Sequence, residues 1–297
     1  MTVDPVFIRN PKEAERLSGK HVAFVGCGSG GSALALMASK SGVGRFTLID
    51  PDVLSLENVG RHMLARRYVG TPKVEGLKAE ILELNPQAEV EAVFGKFHDL
   101  PQKPDLLIAG TDSFTCEAEV NSYSLNAYVP AVYCGCWGEA SVGEVLYVVP
   151  GKTACYQCYA GFRETTVQVP EIPADIRKYA EPDFDATKVP GQAGLWANIL
   201  MIAGLGFQIA LALLDAESDR SQVIDYERTL LLFNISNYGS PLQPLAVTFG
   251  KVKRGCNICR ETVELHTSST LAALADTIAA MVPEQQERAT AGIPLLE

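Results

Sequence analysis

The sequence lacks several features that would each assign the chain to a broad class of protein. It has no excess of basic residues, because 35 acidic and 25 basic side chains give a formal net charge of -10 at pH 7. Nonspecific nucleic-acid binding needs the opposite charge, and no basic helix or Cys/His finger is present. There is no internal repeat or low-complexity tract, and the first residues lack the basic start and apolar core of a secretory signal. We therefore expect a cytoplasmic protein with no nucleic-acid partner.

A nucleotide-binding pattern lies near the start of the chain. The apolar run at 21–25 is typical of a parallel strand covered on both faces. Gly26, Gly28 and Gly31 then fit G-x-G-x-x-G, whose glycines permit a tight turn, close approach to a phosphate and packing of a helix on the strand. The amides that begin this helix favour an anion. Asp50 ends the next strand about twenty residues on, where an acid accepts a hydrogen bond from a ribose.

The coarse pattern of elements predicts an α/β fold with a Rossmann-like, doubly wound, mostly parallel sheet. Helices are expected around 32–42, 71–85, 113–127 and 195–215, and apolar strands around 21–26, 46–50, 105–109 and 130–134. Later strands, around 141–149, 229–235 and 245–249, predict a mixed or antiparallel C-terminal extension.

Three further signatures follow the glycine turn in a fixed order. They are Asn58-Val-Gly-Arg61, Gly70-Thr-Pro-Lys73-Val74 and Thr111-Asp112. Together with the glycine turn they resemble the adenylyltransferase superfamily of the ubiquitin-activating enzymes, the ThiF, MoeB and HesA type, which includes bacterial ubiquitin-like conjugation enzymes. The resemblance covers about residues 20–260 and rests on all four signatures in order.

The resemblance implies that the chain adenylates the C-terminal carboxylate of a small ubiquitin-like or sulfur-carrier protein, consuming ATP with Mg²⁺ and releasing pyrophosphate. It implies a nucleotide site built from Gly26, Gly28, Ser29, Gly31, Asp50, Asn58, Arg61 and Lys73. Within that set, Gly28 and Ser29 line the phosphates and Asp50 holds the ribose. The catalytic residues would be Arg61, Lys73 and Asp112, and Asp112 would also position magnesium.

The proposed chemistry requires residues of these types. A carboxylate that attacks an α-phosphate joins two anions, so the site needs fixed cations and a hard metal held by oxygen. Taken singly, Lys73 reads as a solvated helix lysine, Arg61 as a surface salt bridge and Asp112 as a helix cap. Their order relative to Asp50 favours the functional interpretation.

The resemblance also suggests one adenylation domain over 1–297. Its expected parts are an N-terminal segment at 1–20, a nucleotide-binding half at 21–135, a carrier-binding half at 136–260 and a C-terminal tail at 261–297.

Four of the eight cysteines form two C-x-x-C pairs. Cys155 pairs with Cys158 and Cys256 with Cys259, and these four are the candidate metal ligands. This spacing is typical of structural zinc held by four thiolates, which leaves no open position for catalysis. Two redox dithiols or two disulfides are the alternatives. The other four lie in apolar surroundings and are expected in the core: Cys27, Cys116, Cys134 and Cys136.

One departure from the family concerns the step after adenylation. Members that form a thioester place a nucleophilic cysteine in a crossover loop, here about 163–191, yet no cysteine occurs between Tyr159 and Gly255. The segment 183–190 is similar to the surroundings of that nucleophile, with Ala186 near its expected place. Either the protein stops at the acyl-adenylate, or Ala186 stands where an engineered change removed the cysteine.

A second departure concerns the N-terminus. Many relatives send an arginine from an Arg-Gln helix into the partner subunit's site, and here Arg9 and Arg16 are the candidates. A homodimer is the expectation for such a fold, and any conjugating enzyme would be a separate chain.

Residues 195–214 form an apolar stretch with the length of a membrane span. Asn198, Gly204, Gly206 and Gln208 interrupt it, Gly194 directly precedes it, and no basic cluster flanks it. We expect a buried core helix and no membrane.

Three other functions remain open at this point. The substrate carboxylate could belong to a peptide or a tRNA-linked group, although the acidic charge disfavours tRNA. A nicotinamide-dependent dehydrogenase accounts for the glycine turn and Asp50 only. A catalytically reduced scaffold subunit of an activating heterodimer accounts for the missing loop cysteine.

Overall fold

The computed structural model describes residues 4–98, 100, 102–137, 142–160, 194–216, 218–234, 247–248 and 258–259. Eight strands in this part of the chain form one sheet. They are β1 His21–Val25, β2 Arg45–Asp50, β3 Glu89–Phe94, β4 Leu106–Ala109, β5 Ala131–Trp137, β6 Val142–Val148, β7 Leu230–Asn234 and β8 Val247–Thr248.

The sheet has the order β3-β2-β1-β4-β5-β6-β7-β8. The first five strands in this order pair in parallel, and β6, β7 and β8 add to them antiparallel. The predicted Rossmann-like sheet with an antiparallel extension is confirmed. The chain reverses its direction of travel across the sheet between β1 and β4, and in such folds ligands bind beyond the carboxyl ends of the strands at this point.

Five α-helices lie wholly within the described residues and connect or cover the strands, and a further helical segment occupies 156–160. The five are α1 Pro11–Leu17, α2 Ser29–Ser41, α3 Lys73–Leu84, α4 Phe114–Ala127 and α5 Trp196–Leu214. Short 3-10 helices occur at Pro5–Phe7, Leu56–Arg61, Arg66–Tyr68 and Asp219–Val223.

The structure differs from the predicted elements at three main points, one of which is that β5 continues to Trp137, beyond its predicted end at 134. Helix α2 begins at Ser29 rather than near 32, because Gly28 serves as its N-cap and the glycine turn passes straight into the helix. The sequence pattern missed β3, an edge strand whose side chains are all exposed or half-buried. Its apolar residues therefore never form the continuous run that identified its buried neighbours.

Helix α5 is the one helix, within the described residues, that is long and apolar enough to cross a membrane. An 18-residue stretch of this helix has a mean hydropathy of 2.0, and 56% of that stretch is buried. One face packs on α2, β5 and β6, as the core helix of a soluble protein also does, so the membrane interpretation is weak. The other face exposes Met201 and Leu205.

An ion pair fixes the N-terminal helix to the end of α5. Arg16 Nε donates to Oδ2 of the buried Asp215 at 2.7 Å. Arg16 is thus engaged within its own chain, which disfavours it as the arginine that reaches a partner subunit. Arg9 is exposed in a turn.

Several predicted features fall outside the described residues. These are the crossover loop at 163–191 with Ala186, the ligand Cys256 and the tail at 261–297.

Candidate active site

The predicted glycine turn packs against the end of the neighbouring strand β4. Gly26 has a φ of 87°, and a Cβ there would lie 2.8 Å from the backbone of Gly110. A Cβ on Gly31 would lie only 1.9 Å from the carbonyl oxygen of Gly26. The missing side chains of Gly26, Gly31 and Gly110 therefore let the glycine turn, the first turn of α2 and the end of β4 pack backbone against backbone.

The first turn of α2 faces open space above the sheet. Gly28, the N-cap, has no atom within 4 Å of the position of an added Cβ, and neither has Gly30. Because glycine has no side chain to cap the helix, the first amides and the positive end of the helix dipole are left to an anion. Ser29 is the first residue of this helix.

Asp50 lies beneath this turn and is bonded to it. Its Oδ2 accepts a hydrogen bond from the backbone nitrogen of Cys27 at 2.6 Å, and its Oδ1 accepts one from Asp52 at 2.8 Å. The side chain is buried at the carboxyl end of β2. The sequence predicted this acid at the strand end, and the structure shows that it also holds the turn.

Lys73, the first residue of α3, joins Asp50 at this edge of the sheet. Its Nζ lies 2.7 Å from Oδ2 of Asp52 and 4.0 Å from Oδ1 of Asp50. The interpretation of Lys73 as a solvated surface lysine is wrong, because only 8% of the residue is exposed. Asp52 is a partner that the sequence pattern did not identify.

The charges of this group perturb one another. Burial lowers the pKa of Lys73, but the nearby carboxylates of Asp50, Asp52 and Asp112 outweigh burial and raise the pKa above its ordinary value. Burial raises the pKa of Asp50, and Lys73 brings it part of the way back. Lys73 therefore remains a cation at neutral pH, held by two carboxylates and within electrostatic reach of Asp112.

Asp112 follows β4 and is exposed, immediately before the N-cap Ser113 of α4. Ser113, not Asp112, caps that helix: its side chain accepts from the backbone nitrogen of Cys116. The alternative of Asp112 as the cap is therefore wrong. Its carboxylate follows the carboxyl end of β4 and lies within electrostatic reach of Lys73.

Asn58 and Arg61 lie on the 3-10 helix Leu56–Arg61. The side-chain oxygen of Asn58 accepts from the Ser55 hydroxyl at 2.9 Å, so its amide hydrogens are the part that can face a phosphate. Arg61 is half-buried at the end of this helix. Burial raises the pKa of the Cys136 thiol, near the end of β5, and Arg61 lies close enough to offset part of that rise.

Three of the four predicted zinc ligands come together. Cys158 Sγ lies 3.8 Å from Cys155 Sγ and 3.5 Å from Cys259 Sγ, and all three sulfurs lie within 4.8 Å of one another. A tetrahedral ion with Zn–S bonds of about 2.3 Å places its sulfurs about 3.8 Å apart. The cluster joins positions about a hundred residues apart in sequence, as the paired motifs predicted.

Helix α4 connects the exposed Asp112 to the cysteine cluster, a link that the sequence did not indicate. The buried Glu117 accepts a hydrogen bond from the Tyr156 hydroxyl, and Asn121 accepts one from the Tyr156 backbone nitrogen at 3.0 Å. Tyr156 lies between the first two cysteines and stacks on Tyr133 of β5, with ring centroids 4.9 Å apart. The cluster thus braces the helix that begins at the active-site edge.

The remaining cysteines only partly match the prediction of a buried core. Cys27 is buried, and Cys116 and Cys134 are half-buried, but Cys136 is exposed. The reason is that β4 pairs with β5 only as far as Tyr133. The last residues of β5 extend beyond that neighbour and lose its cover.

The family profile of ThiF matches residues 6–282, nearly the whole chain. The chain belongs to the ThiF family. This agrees with the order of the glycine turn, the Asn-x-x-Arg, the Gly-x-Pro-Lys-Val and the Thr-Asp along the sheet edge.

Curated ThiF-family relatives include ubiquitin-like modifier-activating enzyme 5 of Caenorhabditis elegans, which is 29% identical over 162 residues, 49% of this chain and 39% of that protein. The Drosophila melanogaster enzyme of the same name is 29% identical over 164 residues, 50% of this chain and 41% of that protein. The Bombyx mori enzyme is 24% identical over 234 residues, 73% and 58% of the two chains. The match spans about two fifths of the length of the first two relatives.

Solved structures support the same fold for this ThiF-family chain. Escherichia coli MccB with ATP has a TM-score of 0.65 at 20% identity, covering 86% of this chain and 74% of MccB. The structure of PaaA has a TM-score of 0.55 at 19% identity, covering 80% and 66%. At these identities the likeness extends to the fold alone.

Proposed function

We propose that this chain is an adenylyltransferase that activates the C-terminal carboxylate of a small ubiquitin-like or sulfur-carrier protein with ATP and Mg²⁺, releasing pyrophosphate. The observation that carries the proposal is the arrangement at the switch point of the sheet. There an uncapped helix end, the buried Lys73 and the exposed Asp112 face the same edge. Membership of the ThiF family and the relation to modifier-activating enzymes support it.

The residues divide the work by charge. The α2 amides and Lys73 bind the triphosphate, Asp50 accepts a hydrogen bond from the ribose, and Arg61 and the amide of Asn58 contact the phosphates from the opposite side. The rate gain comes from holding the carboxylate and the α-phosphate in line and from neutralising the charge that develops between them. A dehydrogenase has no use for this set of cations.

Asp112 offers the exposed carboxylate oxygen that a hard divalent cation prefers, so it would hold Mg²⁺. When bound, the ion would offset the negative charge of the phosphates. The Asp112 carboxylate itself sets where that charge is placed relative to Lys73, since the two residues already interact.

The proposal is tested by exchange of labelled pyrophosphate into ATP. The probes are a panel of small ubiquitin-like proteins and short peptides, each compared with its C-terminal amide, which offers no carboxylate. We expect exchange only with probes that have a free C-terminal carboxylate. Whether proteins or peptides support that exchange then shows which class is the substrate. Thermal stabilisation by NAD but not by ATP with Mg²⁺, or no exchange with any free acid, would contradict the proposal.

Replacing Asp112 with alanine should lower exchange by about 10²- to 10³-fold, the usual cost of removing one group that stabilises charge in a transition state. The melting temperature should change by no more than about 2 °C, since the side chain is exposed. Glu119→Ala, which removes an exposed carboxylate from the adjoining helix α4, is the matched control and should retain exchange. Equal losses in the two variants would remove Asp112 from the site.

We propose that the cysteine cluster holds structural zinc, with Cys256 as fourth ligand. Metal analysis should find about one zinc per chain. Cys158→Ser should lose the metal and lower the melting temperature. Cys136→Ser, which changes an exposed cysteine outside the cluster, should keep it. Retention of zinc by the Cys158 variant would exclude the cluster as its ligand set.

Four narrower proposals accompany this function. The chain forms one adenylation domain, acts in the cytoplasm, assembles as a homodimer and hands its product to a separate conjugating enzyme where one exists. A peptide substrate is the second candidate, and the shared fold of MccB, solved in complex with MccA, favours testing it. Ala186→Cys separates the two routes. A reducible bond to the carrier in this variant would indicate thioester formation, and its absence would leave the acyl-adenylate as the endpoint.

A further inference from the structure

Both backbone groups of Cys27, the residue between the first two glycines of the turn, are bonded by side chains from elsewhere in the chain. Its nitrogen donates to Asp50, and its carbonyl oxygen lies 2.8 Å from Nε2 of His62. Asp50 belongs to the nucleotide site already described. His62 has no part in that site, yet it is buried with 7% of its surface exposed and contacts the same turn.

The hydrogen bonds of His62 fix its protonation. The backbone nitrogen of Leu64 donates to Nδ1 at 3.0 Å, so Nδ1 is an acceptor and the proton lies on Nε2, which donates to the Cys27 carbonyl. Burial, reinforced by the charge of Lys73, lowers the pKa of His62 to about 4, against a smaller raising effect of the Cys27 bond. The ring is therefore neutral at pH 7, with both nitrogens bonded.

The 3-10 helix just before His62 lies at the surface, with Val59 partly buried against the core. None of the six residues of Leu56–Arg61, all of which the structure describes, is buried. The nearest buried apolar anchors are Leu54 and Leu64, which flank this 3-10 helix. His62 directly follows Arg61, so it is the buried contact nearest to that arginine along the chain. Met63 adds a weaker link, its nitrogen donating to the Ser32 hydroxyl of α2 at 3.3 Å.

We propose that His62 is a positioning residue, which joins the 3-10 helix that carries Arg61 to the glycine turn and so sets the arginine against the nucleotide phosphates. The inference rests on the proposed function for the role of Arg61. It concerns a residue that touches no substrate and acts only through its two backbone partners. This position requires a side chain that donates a hydrogen bond to the Cys27 carbonyl and also accepts one from the Leu64 backbone nitrogen.

The test uses ATP affinity, measured by calorimetry, and kcat/KM for ATP in pyrophosphate exchange. His62→Leu should lower kcat/KM by about ten- to hundredfold, the scale of a small misplacement of a group that contacts the reacting phosphates. His62→Gln can donate and accept at once and should recover most of the loss. His62→Asn carries the same groups on a shorter side chain and should not recover it.

The matched control is His21→Leu. His21 is also buried, and its Nε2 is bonded to Thr47, but it lies at the opposite, amino end of β1. The His21→Leu variant should have a lower melting temperature, as the His62→Leu variant does, but an unchanged affinity for ATP. Equal losses of affinity in the two leucine variants would show that His62 acts through general stability, and the inference would fail.

A double variant shows whether His62 acts through Arg61. In an Arg61→Ala background, His62→Leu should lower kcat/KM less than about twofold further, because the group it positions is already gone. Fully additive losses would overturn the positioning role. Failure of the proposed function is distinguishable, since it would show as absence of exchange in the unaltered protein, whereas failure of this inference leaves that exchange intact.

Discussion

Gly31→Ala is expected to unfold the chain or to lower its free energy of unfolding by more than about 4 kcal/mol, a loss reserved for severe backbone or packing conflicts. The added Cβ would lie 1.9 Å from the carbonyl oxygen of Gly26, which is itself held against Gly110. Neither atom is the far end of a flexible side chain, so relief requires the helix to separate from the strand. Urea denaturation followed by circular dichroism measures the loss.

Gly30→Ala is the control for that prediction. Gly30 precedes Gly31 in the same helical turn, but a Cβ there meets no atom within 4 Å. Alanine is favoured over glycine in helices by up to about 1 kcal/mol, so this variant should be neutral or slightly stabilised. If the two variants lose the same stability, the close packing of turn, helix and strand is not what Gly31 provides.

The sequence predicted the parts of the fold and site that depend on local pattern. The run at β1, the three glycines and Asp50 all lie within a short stretch whose spacing is imposed by one strand, one turn and one helix. Their identity as a nucleotide-binding unit therefore follows from neighbours along the chain. The buried strands β4 and β5 were visible for the same reason, as continuous apolar runs.

What the sequence could not predict are pairings set by tertiary approach. Glu117 and Tyr156 are 39 residues apart, and no periodicity relates a buried acid to a tyrosine of a cysteine motif. The capture of the Cys27 carbonyl by His62 spans 35 residues and depends on how a loop returns to the sheet. Only the burial of His62, which the structure shows, indicates that its ring needs hydrogen-bond partners.

Lys73→Met should lower the free energy of unfolding by about 3 to 5 kcal/mol, the cost of removing one partner of a buried ion pair. The reason is Asp50, whose side chain is 6% exposed and would remain buried without its cation. Asp52 would lose less, because its side chain is 46% exposed. The proposed function also predicts that the variant loses the thermal stabilisation expected from ATP with Mg²⁺.

The dependence of this loss on pH has a definite sign. Burial already raises the pKa of Asp50 and Lys73 opposes it, so removing Lys73 raises the pKa further. A carboxyl group whose folded pKa exceeds its unfolded value binds its proton more tightly in the folded state, so stability falls as pH rises through the folded pKa. Urea denaturation should therefore show a larger deficit at pH 8 than at pH 5.

Asp50→Asn in the Lys73→Met background should recover stability but not ATP binding. Lys78→Met, on the half-buried part of the same helix, should show neither the loss nor its pH dependence; a deficit that is equal at the two pH values would mean that Asp50 is not the group left unpaired.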